Sequence, residues 1–282
     1  MEMMSAVSWP SERAPSQRQR SIGRVDLVAE SSAAGTHLSA LAESGSLRAR
    51  LPRVEGGGLE AVLVNTAGGV ACGDIFHISI AARPSARVTV ATPAAEKVYR
   101  SDGAVSEISV RLVAEAGATL HWLPQETILF DTARLARTYE VDLAGDARFL
   151  SFEGLMLGRA ARGEQVKEGH LSDRWRVRRG GKLIYADALR LSGPIADLLA
   201  RPAVAAGGVA LGTCLYVAPD AEARLEEARS LLEACACECG ASAWNGLLAV
   251  RFIGPSIEAL RRDATSFLMG FTGGPLPRVW GL

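Results

Sequence analysis

Polar and apolar positions alternate with a period of two through most of the middle of this chain. The runs RVTVAT, VSEISVRLV, ATLHWL, RTYEVDL, ARFLSFE, RWRVRR and KLIYADALRL are short and rich in β-branched or aromatic residues. That is the pattern of strands with one buried face. Turn signals separate them: Ser101-Asp102-Gly103, Gly117, Ala144-Gly145-Asp146 and Gly180-Gly181. The last pair lies between two alternating runs and predicts a two-residue hairpin. Strands this short and closely spaced imply a sandwich, a barrel or a stacked β-solenoid, although no fixed-period repeat is visible.

The period lengthens towards the C-terminus. PDAEARLEEARSLLEACACECG begins with a possible cap at Asp220 and stops at Gly240. Within it Leu225, Ala228, Leu232, Cys235 and Cys239 form one helical stripe, so a helix is expected near 219–239. A second is expected from Ser256 to about Gly270, with Leu260, Ala264, Phe267 and Phe271 on its buried side, and a shorter one near Pro194. The fold class expected is mainly β: one β-helical or stacked-sheet domain over 21–282, with two or three helices in its C-terminal third. Residues 1–20, rich in Ser, Pro, Arg and Gln, read as a disordered tail.

Composition narrows the function classes. Lysine plus arginine and aspartate plus glutamate both total 31, so net charge is zero and no basic footprint for nucleic acid exists. The uncharged stretch Pro202–Pro219 falls short of the roughly 20 residues that span a bilayer. It contains a Gly-Gly pair and reads better as a buried strand over Val209–Val217, so no membrane association is expected. The start of the chain lacks the apolar core of a secretory signal, and a reducing cytoplasm is the expected location.

One loop invites a phosphate-binding reading. LVNTAGGVACGD, residues 63–74, is glycine-rich, but Asp74 stands where a P-loop needs lysine, and an acid there repels phosphate. The segment that follows, DIFHISI, alternates like a strand. The loop therefore reads as a turn between two strands.

Other chemistry is sparse. In CACEC, Cys235 and Cys239 share a face of the expected helix while Cys237 points away as an exposed thiol. No nearby histidine or second cysteine pair completes a metal site. His37, His77, His121 and His170 are scattered. No Gly-x-Ser-x-Gly elbow supports a hydrolase. Carboxylates are numerous around the strands: Asp74, Glu96, Glu126, Asp131, Asp142, Glu153, Glu164 and Asp187.

Several multi-residue motifs in order carry a resemblance. LVNTAGGVACGD, ATPAAEKVYRS, HWLPQETILFD, VDLAGDARFLSFEGLMLGRAARGE, DRWRVRRGGKLIYAD and PLPRVW resemble the urease accessory protein D family (UreD, also called UreH), over roughly Arg24 to Trp280. The resemblance implies a β-helical nickel-insertion chaperone rather than an enzyme. It implies a complex with accessory protein F and the GTPase G, docked on apo-urease, with no permanent cofactor and nickel only in transit. It places Asp74, Glu164 and Asp142 along a nickel passage. Ala71-Cys72 departs from the small residues expected before Gly73-Asp74, which makes Cys72 a possible transient ligand. CACEC matches no family motif. The competing readings are a metal-storage protein, which needs clustered histidine or cysteine, and a β-helix carbohydrate-active enzyme, which needs paired acids in an open groove.

Overall fold

The computed structural model describes residues 20–159 and 163–281. The expected tail, apart from Arg20, lies outside the described residues. The chain opens with a hairpin of β1 (Ile22–Ser32) and β2 (Gly35–Ser44), then crosses to a second sheet with β3 (Leu47–Arg50) and β4 (Leu59–Asn65). It then climbs in coils. One coil holds β5 (Ile75–Ala82), β6 (Arg87–Ala91) and β7 (Glu96–Val98). The next holds β8 (Ser106–Ala114), β9 (Thr119–Leu123) and β10 (Thr127–Leu129), and the third holds β11 (Arg134–Leu143) and β12 (Arg148–Leu157).

The hairpin β13 (Glu168–Arg179) and β14 (Lys182–Pro194) turns at Gly180-Gly181, as the sequence predicts. After it come α1 (Ile195–Leu199), β15 (Ala210–Val217), α2 (Leu225–Leu232), β16 (Glu238–Trp244), β17 (Leu247–Gly254) and α3 (Ile257–Thr272).

Two sheets result. The first runs β14-β13-β11-β8-β5-β1-β2 and the second β16-β17-β15-β12-β9-β6-β4-β3, with β7 and β10 as a short side ladder on β12. Neighbours contributed by successive coils pair in parallel. This is solenoid stacking, and the fold class is mainly β with its helices late in the chain. Ile78, Val110 and Tyr139 form one inward row, so the coils advance by 32 and then 29 residues. That inequality hides the repeat from a fixed-period search.

The inner faces of both sheets share one apolar core, including Leu27, Ile80, Leu112, Leu120 and Phe149. A second core lies on the outer face of the second sheet, where α2 and α3 cover Phe152, Tyr216 and Phe252. β12 is therefore buried on both faces, which is why its sequence is almost continuously apolar rather than alternating. α3 matches its expected span. The Ser256 side chain accepts from the Ala259 amide, and Gly273 closes the helix at φ 65°. Phe267 and Phe271 stack at 5.3 Å in its buried stripe, and full burial of each contributes roughly 1.5–3 kcal/mol.

The helix expected over 219–239 is shorter than the apolar stripe implies. After a 3₁₀ turn at Glu222–Arg224, α2 ends at Leu232. Asp263 of α3 accepts hydrogen bonds from the amides of Ala236 and Cys237, which draws the chain off the helical path and into β16. Cys235 and Cys239 thus share no helix face. Cys237, expected to be the exposed thiol, is only 5% exposed, while the other two are half-buried.

Candidate functional site

The three acids placed by resemblance occupy three different settings. Asp74 follows Gly73, whose φ of 78° favours glycine, and caps the turn. One of its carboxylate oxygens accepts from the Ser21 amide and the other from the Ala71 amide, both at 2.8 Å. It is 2% exposed, and its charge acts on Glu96 nearby. Glu164 is held by a two-pronged Arg159 pair at 2.7 Å, with Arg100 at 3.7 Å. The Arg159 hydrogen bonds lower its pKa. Gly158 makes that loop possible, since a side chain there would press on the Glu164 carbonyl. Asp142 sits on the outer face of the first sheet, paired with Arg111 at 3.0 Å. Cys72 turns towards the Ser101–Ala104 turn, where its sulfur meets Asp102 Oδ1 at 2.6 Å and Ser101 Oγ at 3.0 Å.

A different set of polar residues converges between the sheets. In the first sheet Phe76, Ile108, Arg137 and Asp173 form one inward row across β5, β8, β11 and β13. The row changes from apolar to charged at its third member. Arg137 Nη2 donates to Asp173 Oδ2 at 2.5 Å, and its Nη1 donates to Thr127 Oγ1 at 3.0 Å. The same Nη1 lies 3.1 Å from Glu153 Oε2, which projects from β12 on the opposite sheet. That contact is an ion pair rather than a hydrogen bond, and Glu153 Oε2 and Asp173 Oδ1 are buried without one.

Glu153 Oε1 accepts from Trp122 Nε1 at 2.6 Å and from the Tyr139 hydroxyl at 2.5 Å. Tyr139 in turn stacks on Trp175 at 3.9 Å. Burial pushes the Glu153 carboxyl above its ordinary value, and the Arg137 charge pulls it back. Burial works against the guanidinium, but Asp173 and Glu153 hold Arg137 well above its ordinary pKa.

This cluster borders a cavity of about 70 Å³ that also reaches Asn65, Glu96 and Gln125. Burial pushes Glu96 to a pKa of about 7, and the nearby Asp74 charge adds to the rise while an Asn65 hydrogen bond opposes it. On β14, the neighbour of β13, the Tyr185 hydroxyl donates to Asp187 at 3.3 Å, and Asp187 pairs with Arg251 at 2.6 Å at a partly exposed position. The arrangement is a set of carboxylate and hydroxyl oxygens between the sheets, from Glu96 and Glu153 at the cavity to Asp173 and Asp187 on the first sheet, with Arg137 among them and Arg251 at the Asp187 end. Such donors can hold a hard or borderline dication weakly. Among the described residues, no three His, Cys, Asp or Glu side chains are placed to hold a metal ion together.

A separate basin of about 680 Å³ opens on the outer face of the second sheet where the helices do not cover it. Glu60, Thr89 and His121 stand there in one row. Burial lowers His121 to about 4.

Sequence reasoning named Glu96 and Glu153 among the carboxylates without choosing them, and passed over Arg137 and Asp173. Their signal was parity. In RLARTYEVDL the inward positions are Leu135, Arg137, Tyr139, Val141 and Leu143, so Arg137 is a charge in an apolar series.

Comparison with known proteins places the chain. The family model described as UreD urease accessory protein matches residues 21–281. A urease accessory protein UreD from Xanthobacter autotrophicus is 66% identical, covering 98% of each chain. Another from Azorhizobium caulinodans is 61% identical over 94% of this chain and 98% of its own. A third, from a Methylobacterium species, is 53% identical over 97% of each. The chain belongs to the UreD family of urease accessory proteins.

Proposed function

We propose that this chain is a non-catalytic maturation factor that conducts nickel to urease through the polar line between its sheets. In this reading it acts in the cytoplasm within a complex of accessory proteins F and G. The complex docks on apo-urease, and GTP hydrolysis by G drives delivery. Family membership supports the urease part. The nickel part is carried by one observation: the carboxylate and hydroxyl oxygens set between the sheets, with Glu153 and Asp173 buried and Glu96 and Asp187 partly exposed on either side.

Transit needs ligands that let go. Nickel is held strongly by imidazole and thiolate and less strongly by carboxylate. Acids lower the barrier for a dication in a low-dielectric interior without trapping it. Histidine and cysteine are missing from the residues lining this interior cavity, which suits a conduit better than a store. A cavity this small also has no room for a sugar chain. Asp74 enters the route through its charge on Glu96, while Glu164 and Asp142 lie off it, each beside its own arginine.

The test is urease expressed with F and G in the presence and absence of this chain. Urease made without it should carry a small fraction of the nickel found with it, by elemental analysis of the purified enzyme. Equal nickel in both preparations would refute the proposal.

A further inference from the structure

We infer that Glu153 and Asp173 form a transit site for a divalent cation, and that Arg137 occupies that site as a resident counter-ion when no metal is there. The inference rests on the interior route proposed above and adds a binding site and its regulation.

Three observations carry it. First, one guanidinium serves both acids: Arg137 reaches Asp173 Oδ2 through Nε and Nη2 and lies 3.1 Å from Glu153 Oε2 through Nη1. The two carboxylates come from opposite sheets, and both contact Arg137. Second, each keeps one buried oxygen without a hydrogen bond, Glu153 Oε2 and Asp173 Oδ1. Buried acceptors are nearly always hydrogen-bonded, and these two, one of them held only by its ion pair with Arg137, mark a place for a further cation or donor. Third, the cavity of about 70 Å³ adjoins this point, lined by Arg137, Tyr139, Thr127 and Glu153. It offers Arg137 room to withdraw, and the Tyr139 ring, 5.1 Å from the guanidinium carbon, offers it a face to rest on.

The charge balance explains weak holding. With Arg137 in place the cluster carries one positive and two negative groups, so an arriving dication would create an excess of positive charge. With Arg137 withdrawn, two carboxylates match one dication, and the Thr127 and Tyr139 oxygens stand nearby as neutral donors. The return of Arg137 then expels the metal. A dication meeting the same two acids without the arginine would be held more tightly and leave more slowly.

The experiment measures Ni²⁺ binding to the full-length chain, in the complex that it forms, by equilibrium dialysis at neutral pH. Arg137→Gln removes the counter-ion and should raise affinity for one Ni²⁺ per chain at least tenfold. Adding Glu153→Gln to that variant should reverse the gain. Arg137→Lys, whose ammonium cannot bridge both acids, should show a smaller gain in the same direction. It decides the matter if Arg137→Gln does not fold. Wild-type affinity in Arg137→Gln, or in Arg137→Lys when it alone folds, overturns the inference. Nickel delivery by Glu153→Gln separates this from the broader reading. Impaired delivery with no tightening retains the route and removes the site. Tightening with normal delivery retains the site and removes the route.

Discussion

Arg137 and Asp173 are paired neighbours on the parallel strands β11 and β13, at inward positions that Phe76 and Ile108 fill in earlier coils. A buried ion pair in an apolar row costs desolvation, and hydrophobic replacements are often as stable. Its presence at the meeting point of the two sheets therefore asks for a use beyond folding.

Glu96 should make stability depend on pH. Its pKa rises from 4.5 to about 7 in the folded chain, so the folded state holds a proton that the unfolded state has released. The associated stability is complete below about 4.5 and is lost as pH climbs through about 7. A shift of that size corresponds to up to about 3 kcal/mol. Denaturant unfolding across pH 5 to 8 should show a decline that Glu96→Gln largely removes; the same slope in both proteins would contradict the assignment.

Asp74 joins a structural task to an electrostatic one. Asp74→Ala removes the acceptors of two part-buried hydrogen bonds, from the Ser21 and Ala71 amides, and should cost about 1–3 kcal/mol. Asp74→Asn keeps one acceptor and should cost about half as much. Because Asn also removes a charge that raises Glu96, titration of Glu96 should shift downward in that variant. NMR titration of the Glu96 carboxyl checks this, and an unmoved titration would mean that Asp74 acts on backbone alone.

For Cys237 the expectation is purely structural. It is buried against Gly254 and hydrogen-bonds Asp263, so Cys237→Ser should lower stability by about 1 kcal/mol. Urease nickel content should be unchanged, and a loss of nickel in the folded variant would give the thiol a role in delivery.

Much of the fold was legible because its signals are local. The Ser256 cap, the period of α3, the Gly180-Gly181 hairpin and the alternating runs each depend on residues close in sequence. The coils were not legible, because unequal advances of 32 and 29 residues leave no constant period. α2 was overestimated because an aspartate in α3 captures the amides that would have continued the helix. The site was half legible. Glu96, Glu153 and Asp187 stood out only as acids among strands, and which of them meet depends on parallel stacking about thirty residues apart. Arg137 could have been found by asking which inward position in β11 carries a charge. Asp142 looked similar by residue type, yet its parity turns it outward to Arg111.

The most direct measurement is the nickel content of urease purified from cells that express the accessory proteins with the Glu153→Gln chain. Glutamine keeps an oxygen for Trp122 and Tyr139 and leaves Asp173 to hold Arg137, so the chain should fold and assemble. An interior nickel route requires the complex to form on urease as before while nickel per active site falls several-fold. Wild-type nickel loading with Glu153→Gln, in a complex of normal composition, would contradict it.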